Sequence, residues 1–129
     1  MSRIPRALAL LLVVALAVAG CGGSAMGYDQ APASLDPASP KLEAIGVAFD
    51  RTELSVPANR PFILVFENRE AVSHNVSIYA DGSRQDRRFE GVLFSGPATR
   101  WYPVPALAPG TYEFLCDLHP SMTGRLVAA

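Results

Sequence analysis

From residue 41 onward the sequence alternates between short apolar segments and turns, and this alternation limits the possible folds more than any other feature. Short apolar segments separated by Gly, Pro, Asn or Asp are typical of β-strands joined by tight loops. No segment past residue 40 has a helical period with start and stop signals. The predicted strands are 42–49, 53–56, 62–66, 75–80, 91–94, 100–104, 111–116 and 125–127. Residues 41–129 are therefore expected to form one all-β sandwich or barrel of about eight mostly antiparallel strands.

Alternation within single strands predicts which side chains form the core. In the segment 111–116, Tyr112, Phe114 and Cys116 fall on one face, because successive side chains of a strand point to opposite faces. The aromatic residues expected to pack between the sheets are Phe62, Phe66, Trp101 and Tyr112. No function is assigned to these four side chains.

The first twenty residues have the pattern of an export signal. Arg3 and Arg6 give a positive start, and residues 7–18 form an uninterrupted apolar run of twelve residues. Such a run matches the hydrophobic part of a signal peptide and is well short of the roughly 20 residues that cross a bilayer. We therefore expect residues 1–20 to be a signal peptide and the mature protein to lie outside the cytoplasm.

The signal ends in Val18-Ala19-Gly20-Cys21, which resembles the lipobox of bacterial lipoproteins. The resemblance implies that Cys21 becomes the first mature residue and carries lipid that anchors the protein to a membrane. Ordinary secretion, with cleavage near Ala19 or Ala25, is the alternative. Residues 21–40 are rich in Gly, Ala, Ser and Pro, which predicts a flexible tether between the anchor and the domain.

Charge and cysteine content narrow the classes of function. The formal charge of the 129-residue chain is −1, so no broad basic surface indicates nucleic-acid binding. Without Arg3 and Arg6, nine basic and twelve acidic residues remain, and the formal charge is −3. The two cysteines of an exported protein would ordinarily form a disulfide. If Cys21 carries lipid, however, Cys116 is a single thiol, which indicates that the protein uses it.

Potential metal ligands are concentrated in the segment 116–122, between two predicted strands. Cys116, His119 and Met122 offer a thiolate, an imidazole and a thioether, and His74 is the other of the two histidines. Two imidazoles, one thiolate and a weak thioether are the ligands of blue-copper electron-transfer sites. Structural zinc takes four strong ligands, and thioether is not among them. Asp117 could complete a zinc site, but a neighbour of Cys116 would point to the opposite face of the strand.

The motif Cys-x-x-His-Pro-x-Met at 116–122, after an upstream His-Asn pair, resembles the cupredoxins. The similarity extends over residues 41–129 and includes the strand Pro-Gly-Thr-Tyr-x-Phe-x-Cys at 109–116. It implies a Greek-key β-sandwich with one mononuclear type 1 copper ion. The implied ligands are His74, Cys116, His119 and Met122, and the implied supporting neighbours are Asn75, Asp117 and Pro120. The resemblance also implies that Asn75 ties the two ligand-bearing segments together and that electrons pass through the outer edge of His119.

Each of these residues also has a simpler interpretation. His74 alone could be a hydrogen-bonded histidine, Met122 could fill a gap in the core, and Cys116 could be an inert buried thiol. Arg84, Arg87 and Arg88 could steer an acidic partner, but a solvated loop is the favoured interpretation. The joint spacing of the four candidate ligands is what favours a metal site.

The sequence predicts an electron carrier rather than an enzyme. Four ligand positions taken by the protein leave none open for a substrate, and two histidines are too few for a multicopper oxidase. The expected partners are redox proteins, and the family resemblance implies a monomer. Copper delivery or sequestration is the alternative function, and a domain with a vacant site is a weaker one. We also expect acid to detach His119 from Cu(I) and raise the reduction potential.

Overall fold

The computed structural model describes residues 25–129, and the regular secondary structure of these residues consists of β-strands. The strands are β1 (Lys41–Ala44), β2 (Glu53–Val56), β3 (Phe62–Asn68), β4 (Ser77–Tyr79), β5 (Arg87–Glu90), β6 (Ala98–Val104), β7 (Gly110–Leu115) and β8 (Thr123–Ala128). They form a three-stranded sheet in the order β1-β3-β6 and a five-stranded sheet in the order β2-β8-β7-β4-β5. Four strand pairs are antiparallel, whereas β1 with β3 and β2 with β8 are parallel. The predicted all-β sandwich with mostly antiparallel strands is confirmed.

Two predicted strands differ from the observed ones. The segment 42–49 does not continue as a strand past Ala44, because the chain turns through Gly46 and Val47, which both have positive φ angles. The predicted strand 91–94 is replaced by β5, Arg87–Glu90, whose basic residues resemble a loop in the sequence. The strand lies at the edge of its sheet, where charged side chains are common, and only Phe89 faces the core.

The core lies between the two sheets. Of the aromatic residues predicted to fill it, Phe66 and Tyr112 are buried, whereas Phe62 and Trp101 are only partly buried. Trp101 is turned outward because Tyr102 and Val104 on the same strand point inward, and side chains alternate along a strand. Stacking of Tyr102 on Phe66, at 5.8 Å between ring centroids, joins β6 to β3 inside the core.

Part of the predicted tether lies against the domain. The amide of Met26 donates to the carbonyl of Glu90 at 2.8 Å, and its carbonyl accepts from the amide of Val92 at 2.9 Å. Tyr28 exchanges two backbone hydrogen bonds with Trp101, at 2.9 and 3.2 Å. These contacts cover the edge where β5 of one sheet meets β6 of the other. The flexible character of 21–40 as a whole stays a prediction.

The fold brings the candidate ligands to one end of the sandwich. The segment 116–122 connects β7 to β8, and His74 lies just before β4, which pairs directly with β7. The signal peptide and Cys21 lie outside the described residues. Within residues 25–129, no helix is long and apolar enough to cross a membrane.

Candidate metal centre

Backbone hydrogen bonds close the loop that carries three of the candidate ligands. The amide of His119 donates to the carbonyl of Cys116 at 3.2 Å, and the amide of Met122 donates to the carbonyl of His119 at 2.8 Å. The amide of Cys116 in turn donates to the carbonyl of Met122 at 3.0 Å. The three ligand-bearing residues are therefore bonded to one another through their main chains, and their relative positions are fixed locally.

Three donor atoms converge above this loop. Sγ of Cys116 lies 3.7 Å from Nδ1 of His74 and 3.7 Å from Nδ1 of His119. The donor atoms all lie within 4.8 Å of one another, and the two imidazole rings are 4.8 Å apart. Metal–ligand bonds of about 2.0–2.3 Å at trigonal angles separate neighbouring donors by roughly 3.6 Å. The observed spacing therefore suits one metal ion between the three side chains.

Met122 is the fourth candidate ligand and lies on the buried side of the loop. It is 3% exposed and belongs to the same core cluster as Cys116, which is also fully buried. Cys116 is the free cysteine of the described residues. The thiolate and the thioether therefore share an apolar environment that excludes water.

His74 is held from two directions. Its amide donates to the carbonyl of Phe94 at 3.1 Å, and its carbonyl accepts from the amide of Phe94 at 3.2 Å. Its ring is fully buried, and Nε2 lies 2.7 Å from Oε1 of Glu70. Since Nδ1 faces Cys116, a proton on Nε2 donated to the carboxylate leaves the Nδ1 lone pair for a metal.

The turn after β1 fixes the carboxylate of Glu70. Its two oxygens accept from the amides of Val47 at 2.9 Å and Gly46 at 3.0 Å. The amide of Val47 first, then His74 and the amide of Gly46, lower the pKa of Glu70 below its usual value. Successive left-handed residues, with φ of 63° and 53°, aim both amides at one anion. Val47 is β-branched and accepts this strained conformation at the point where its amide is used.

His119 is less enclosed than His74. It is half-buried and lies between Leu118, which is 54% exposed, and Pro120, which is also exposed. Its Nδ1 faces the thiol of Cys116. Among the described residues no protein group hydrogen-bonds its Nε2, and no buried side-chain nitrogen lacks a partner, so this edge of the ring reaches the surface.

Asn75 joins the two segments that carry the ligands. Its side-chain oxygen accepts from the amide of Asp117 at 2.9 Å, and its Nδ2 donates to the Asp117 carboxylate at 2.7 Å and to the carbonyl of Gly91 at 2.9 Å. Gly91 has no space for a side chain, because a Cβ there would lie 2.6 Å from the ring of Tyr102. This arrangement matches the linking role that the sequence resemblance implies for Asn75.

Comparison with known proteins assigns the chain to a family. A cupredoxin-like domain matches residues 9–128. The chain belongs to the cupredoxin-like family. Membership agrees with a mononuclear copper site and with a protein that is not an enzyme, as the sequence predicts.

Individual relatives support the assignment. Amicyanin-alpha of Methylorubrum extorquens is 30% identical over 119 residues, which cover 92% of each chain. Auracyanin-A of Chloroflexus aurantiacus is 28% identical and covers 93% of each chain. The solved structure of auracyanin A, described as a "blue" copper protein, is 26% identical, with a TM-score of 0.63 over 70% of this chain and 98% of that one.

The donor set of this cupredoxin fits copper better than zinc. Two imidazoles and a thiolate surround one point, and the remaining neighbour in the loop is a thioether, a combination typical of blue copper and not of structural zinc. Asp117 does not supply a fourth strong ligand, because Asn75, Ser77 and Tyr79 hold its carboxylate. The chemistry of the donors and the family membership together give one copper ion as the cofactor.

Sequence reasoning missed several residues that support the site. Glu70 has no signal in the sequence, since its partners come from a turn more than twenty positions earlier and from His74. Asn68 was also missed. It is fully buried and holds the 68–74 segment by donating to the carbonyls of Val72 and Phe94. A polar residue at the inward position of an apolar strand was the one available signal.

The remaining predicted residues have mixed outcomes. The carbonyl of Pro120 lies 3.4 Å from Nη2 of Arg84, and its role in the site stays a prediction. Arg84 forms a bidentate pair with Glu113, and Arg87 and Arg88 pair with Glu90 and Asp86. The three basic side chains, for which a solvated loop was the favoured interpretation, therefore pair with acidic residues of the domain itself.

Proposed function

We propose that the protein carries single electrons through a type 1 copper ion bound by His74, Cys116, His119 and Met122. The convergence of one thiol and two Nδ1 atoms in a site assembled at one end of the β7–β4 pair is the observation that supports this most strongly. Copper would supply the one-electron redox couple. The protein would supply the frame that holds the ligands.

The way in which the ligands are held favours electron transfer over bond chemistry. His74 is fixed by Phe94 and Glu70, and the loop from Cys116 to Met122 is closed by its own backbone bonds. Ligands fixed in this way move little when the charge on the metal changes, which lowers the cost of each electron transfer. A site with all positions filled by protein also offers no place for a substrate.

Electrons would enter and leave through the edge of His119. Its Nε2 side is the part of the imidazole pair not enclosed by the described domain, and the neighbouring Leu118 is exposed. A redox protein that docks there would approach the copper through one imidazole ring. We expect the carrier to act as a monomer, with partners of unknown identity.

The proposed location is outside the cytoplasmic membrane. Residues 1–20 would be the signal peptide, Cys21 would carry lipid, and 41–129 would form the domain. The contacts of Met26 and Tyr28 with the domain edge would shorten the free part of the tether. Labelling with a radioactive fatty acid, compared with a Cys21→Ser variant, tests the anchor. Label that persists in the variant would contradict it.

The test of the copper site is spectroscopic. Residues 22–129 receive one equivalent of Cu(II), and the visible absorption and electron spin resonance spectra are recorded. An intense blue or green band with narrow copper hyperfine splitting is expected, and Cys116→Ser should abolish both. A pale complex with ordinary tetragonal copper signals would contradict the site. Rapid loss of Cu(I) to a competing chelator would instead favour copper delivery.

A further inference from the structure

One face of β4 carries a row of polar side chains that the ligand set does not explain. Asn75, Ser77 and Tyr79 occupy alternate positions, so they share one face, while Val76 and Ile78 between them enter the core. All three direct a side-chain donor at Asp117. Asn75 donates to Oδ2 at 2.7 Å, Ser77 donates to the same oxygen in a short hydrogen bond, and Tyr79 donates to Oδ1 at 2.9 Å.

This row is buried although it is polar. Asn75 is 1% exposed and Ser77 is fully buried, and both would be costly to bury without partners. Burial first, and then the contact with Asp117, raise the pKa of Tyr79, so its hydroxyl stays protonated and can donate. The amide of Asn75 and the hydroxyls of Ser77 and Tyr79 together hold both carboxyl oxygens of Asp117, so this side chain has a fixed position.

The carboxylate belongs to the residue next to the thiolate ligand. Consecutive Cα atoms are about 3.8 Å apart, and the carboxylate is bonded to Asn75, the neighbour of His74, so the charge lies beside two ligand-bearing residues without being one of the converging donors. The amide of Asp117 donates to Asn75, which fixes the backbone and the side chain of the residue together. The charge therefore has a defined position relative to Cys116.

We propose that Asp117 is a fixed anion that lowers the reduction potential of the copper site. Cu(II) carries one more positive charge than Cu(I), so a nearby negative charge stabilises the oxidised form more. The inference rests on the proposed copper site and adds to it a residue that makes the copper harder to reduce. Asp117 acts through space and not as a ligand.

The test is the reduction potential of the copper-loaded full chain with Asp117→Asn. The oxygen of the new amide can still accept from Asn75 and Ser77, and its nitrogen can donate to the hydroxyl of Tyr79, so the shape is kept while the charge is lost. We expect the Cu(I) to Cu(II) ratio at a given solution potential to rise about tenfold, a shift of about 59 mV for one electron. The blue band and hyperfine splitting should stay unchanged.

Two control variants separate charge from packing. Tyr79→Phe keeps the carboxylate and removes a partly positive donor, so the potential should stay the same or fall. Asp36→Asn removes an exposed carboxylate outside the sandwich and should have no effect, because solvent and salt screen it. If Asp117 only supported packing, Asp117→Asn and Tyr79→Phe would shift the potential in the same direction and alter the spectra.

The outcomes distinguish this inference from the proposed function. A wild-type chain without a thiolate–copper band contradicts the copper site itself. A normal band with an unchanged potential in Asp117→Asn leaves the site intact and overturns the role of Asp117. If Asp117→Asn does not fold, Asp117→Ser removes the same charge, and a potential at or below that of the wild type overturns the proposal equally.

Discussion

The two histidines of the metal centre face the same thiol, but the protein holds them differently. Nδ1 of each lies 3.7 Å from Sγ of Cys116. His74 is fully buried, pairs with Phe94 through its backbone and binds Glu70 through Nε2. His119 is half-buried in a loop closed by local hydrogen bonds, and no group of the described domain binds its outer nitrogen.

The difference separates two requirements of an electron carrier. The ligand geometry must stay the same in both oxidation states, which the long-range contacts of His74 favour. An electron must also reach a partner, which requires a ligand at the surface, and His119 meets that requirement. In the proposed carrier, His74 would therefore serve mainly to fix the site, and His119 would serve mainly to pass electrons to a partner.

The difference between His74 and His119 should show its largest effect when each imidazole is removed in turn. His119→Gly should abolish the blue band, and added imidazole should restore it, because the vacated space opens toward solvent. His74→Gly should also abolish the band, but imidazole should not restore it, since the space is enclosed. Titration of both variants with imidazole is the measurement. Equal recovery of the blue band in the two variants would contradict the proposed difference in enclosure between His74 and His119.

Removing the support of His74 should have the next largest effect. Glu70→Ala leaves Nε2 without its carboxylate, and loss of such a partner typically lowers metal affinity by about 10- to 100-fold. Competition with a copper chelator measures the change. Glu67→Ala is a matched control, because Glu67 is a nearby exposed carboxylate that pairs with Arg69 and not with His74. An unchanged affinity in Glu70→Ala would contradict a role of Glu70 in holding the ring of His74.

Acid should act on the exposed imidazole first. In the reduced protein a proton can compete with Cu(I) for Nδ1 of His119, which would detach and swing outward, whereas His74 has no such room. The reduction potential should then rise with acidity, approaching about 59 mV per pH unit at its steepest. Voltammetry between about pH 7 and pH 4 checks this expectation. A potential that is constant over that range would count against it.

A smaller effect is expected on the stability of the copper-free protein. The pKa of Glu70 is lowered in the folded state, chiefly by the amide of Val47, so its unfolded pKa is the higher one. The stabilisation is therefore fully present above the ordinary glutamate pKa of about 4.3 and is lost as pH falls through the folded value. Denaturant unfolding of the wild type and Glu70→Gln at several pH values should show a shallower acid loss in the variant. If the free energy of unfolding falls equally with acid in both proteins, a stabilising role of the Glu70 carboxylate is contradicted.

The sequence predicts the loop that carries His119 better than the contacts that hold His74. Cys116, His119 and Met122 fall within seven residues, so their spacing alone indicates a shared loop. The contact between Glu70 and the amides of Gly46 and Val47 depends on how β1 and β3 pair, so no local sequence pattern predicts it.

The same distinction applies to the fold. The apolar strands β3 and β7 are evident from their alternation, whereas the edge strand β5 is charged and resembles a loop. The pairing of Met26 and Tyr28 with the sandwich edge was missed because these isolated bridges are held by backbone bonds, which leave no pattern of apolar side chains. Local composition therefore predicts the strands that bury side chains but not those that only complete an edge.

Electron self-exchange tests the central claim most directly. Mixtures of the Cu(I) and Cu(II) proteins are examined by proton nuclear magnetic resonance, and line broadening is followed as the Cu(II) fraction increases. A rigid site with His119 at the surface predicts rapid exchange, with broadening proportional to the Cu(II) fraction. Separate, unbroadened signals from Cu(I) protein, with copper that passes readily to a chelator, would contradict electron transfer and identify a copper-delivery protein.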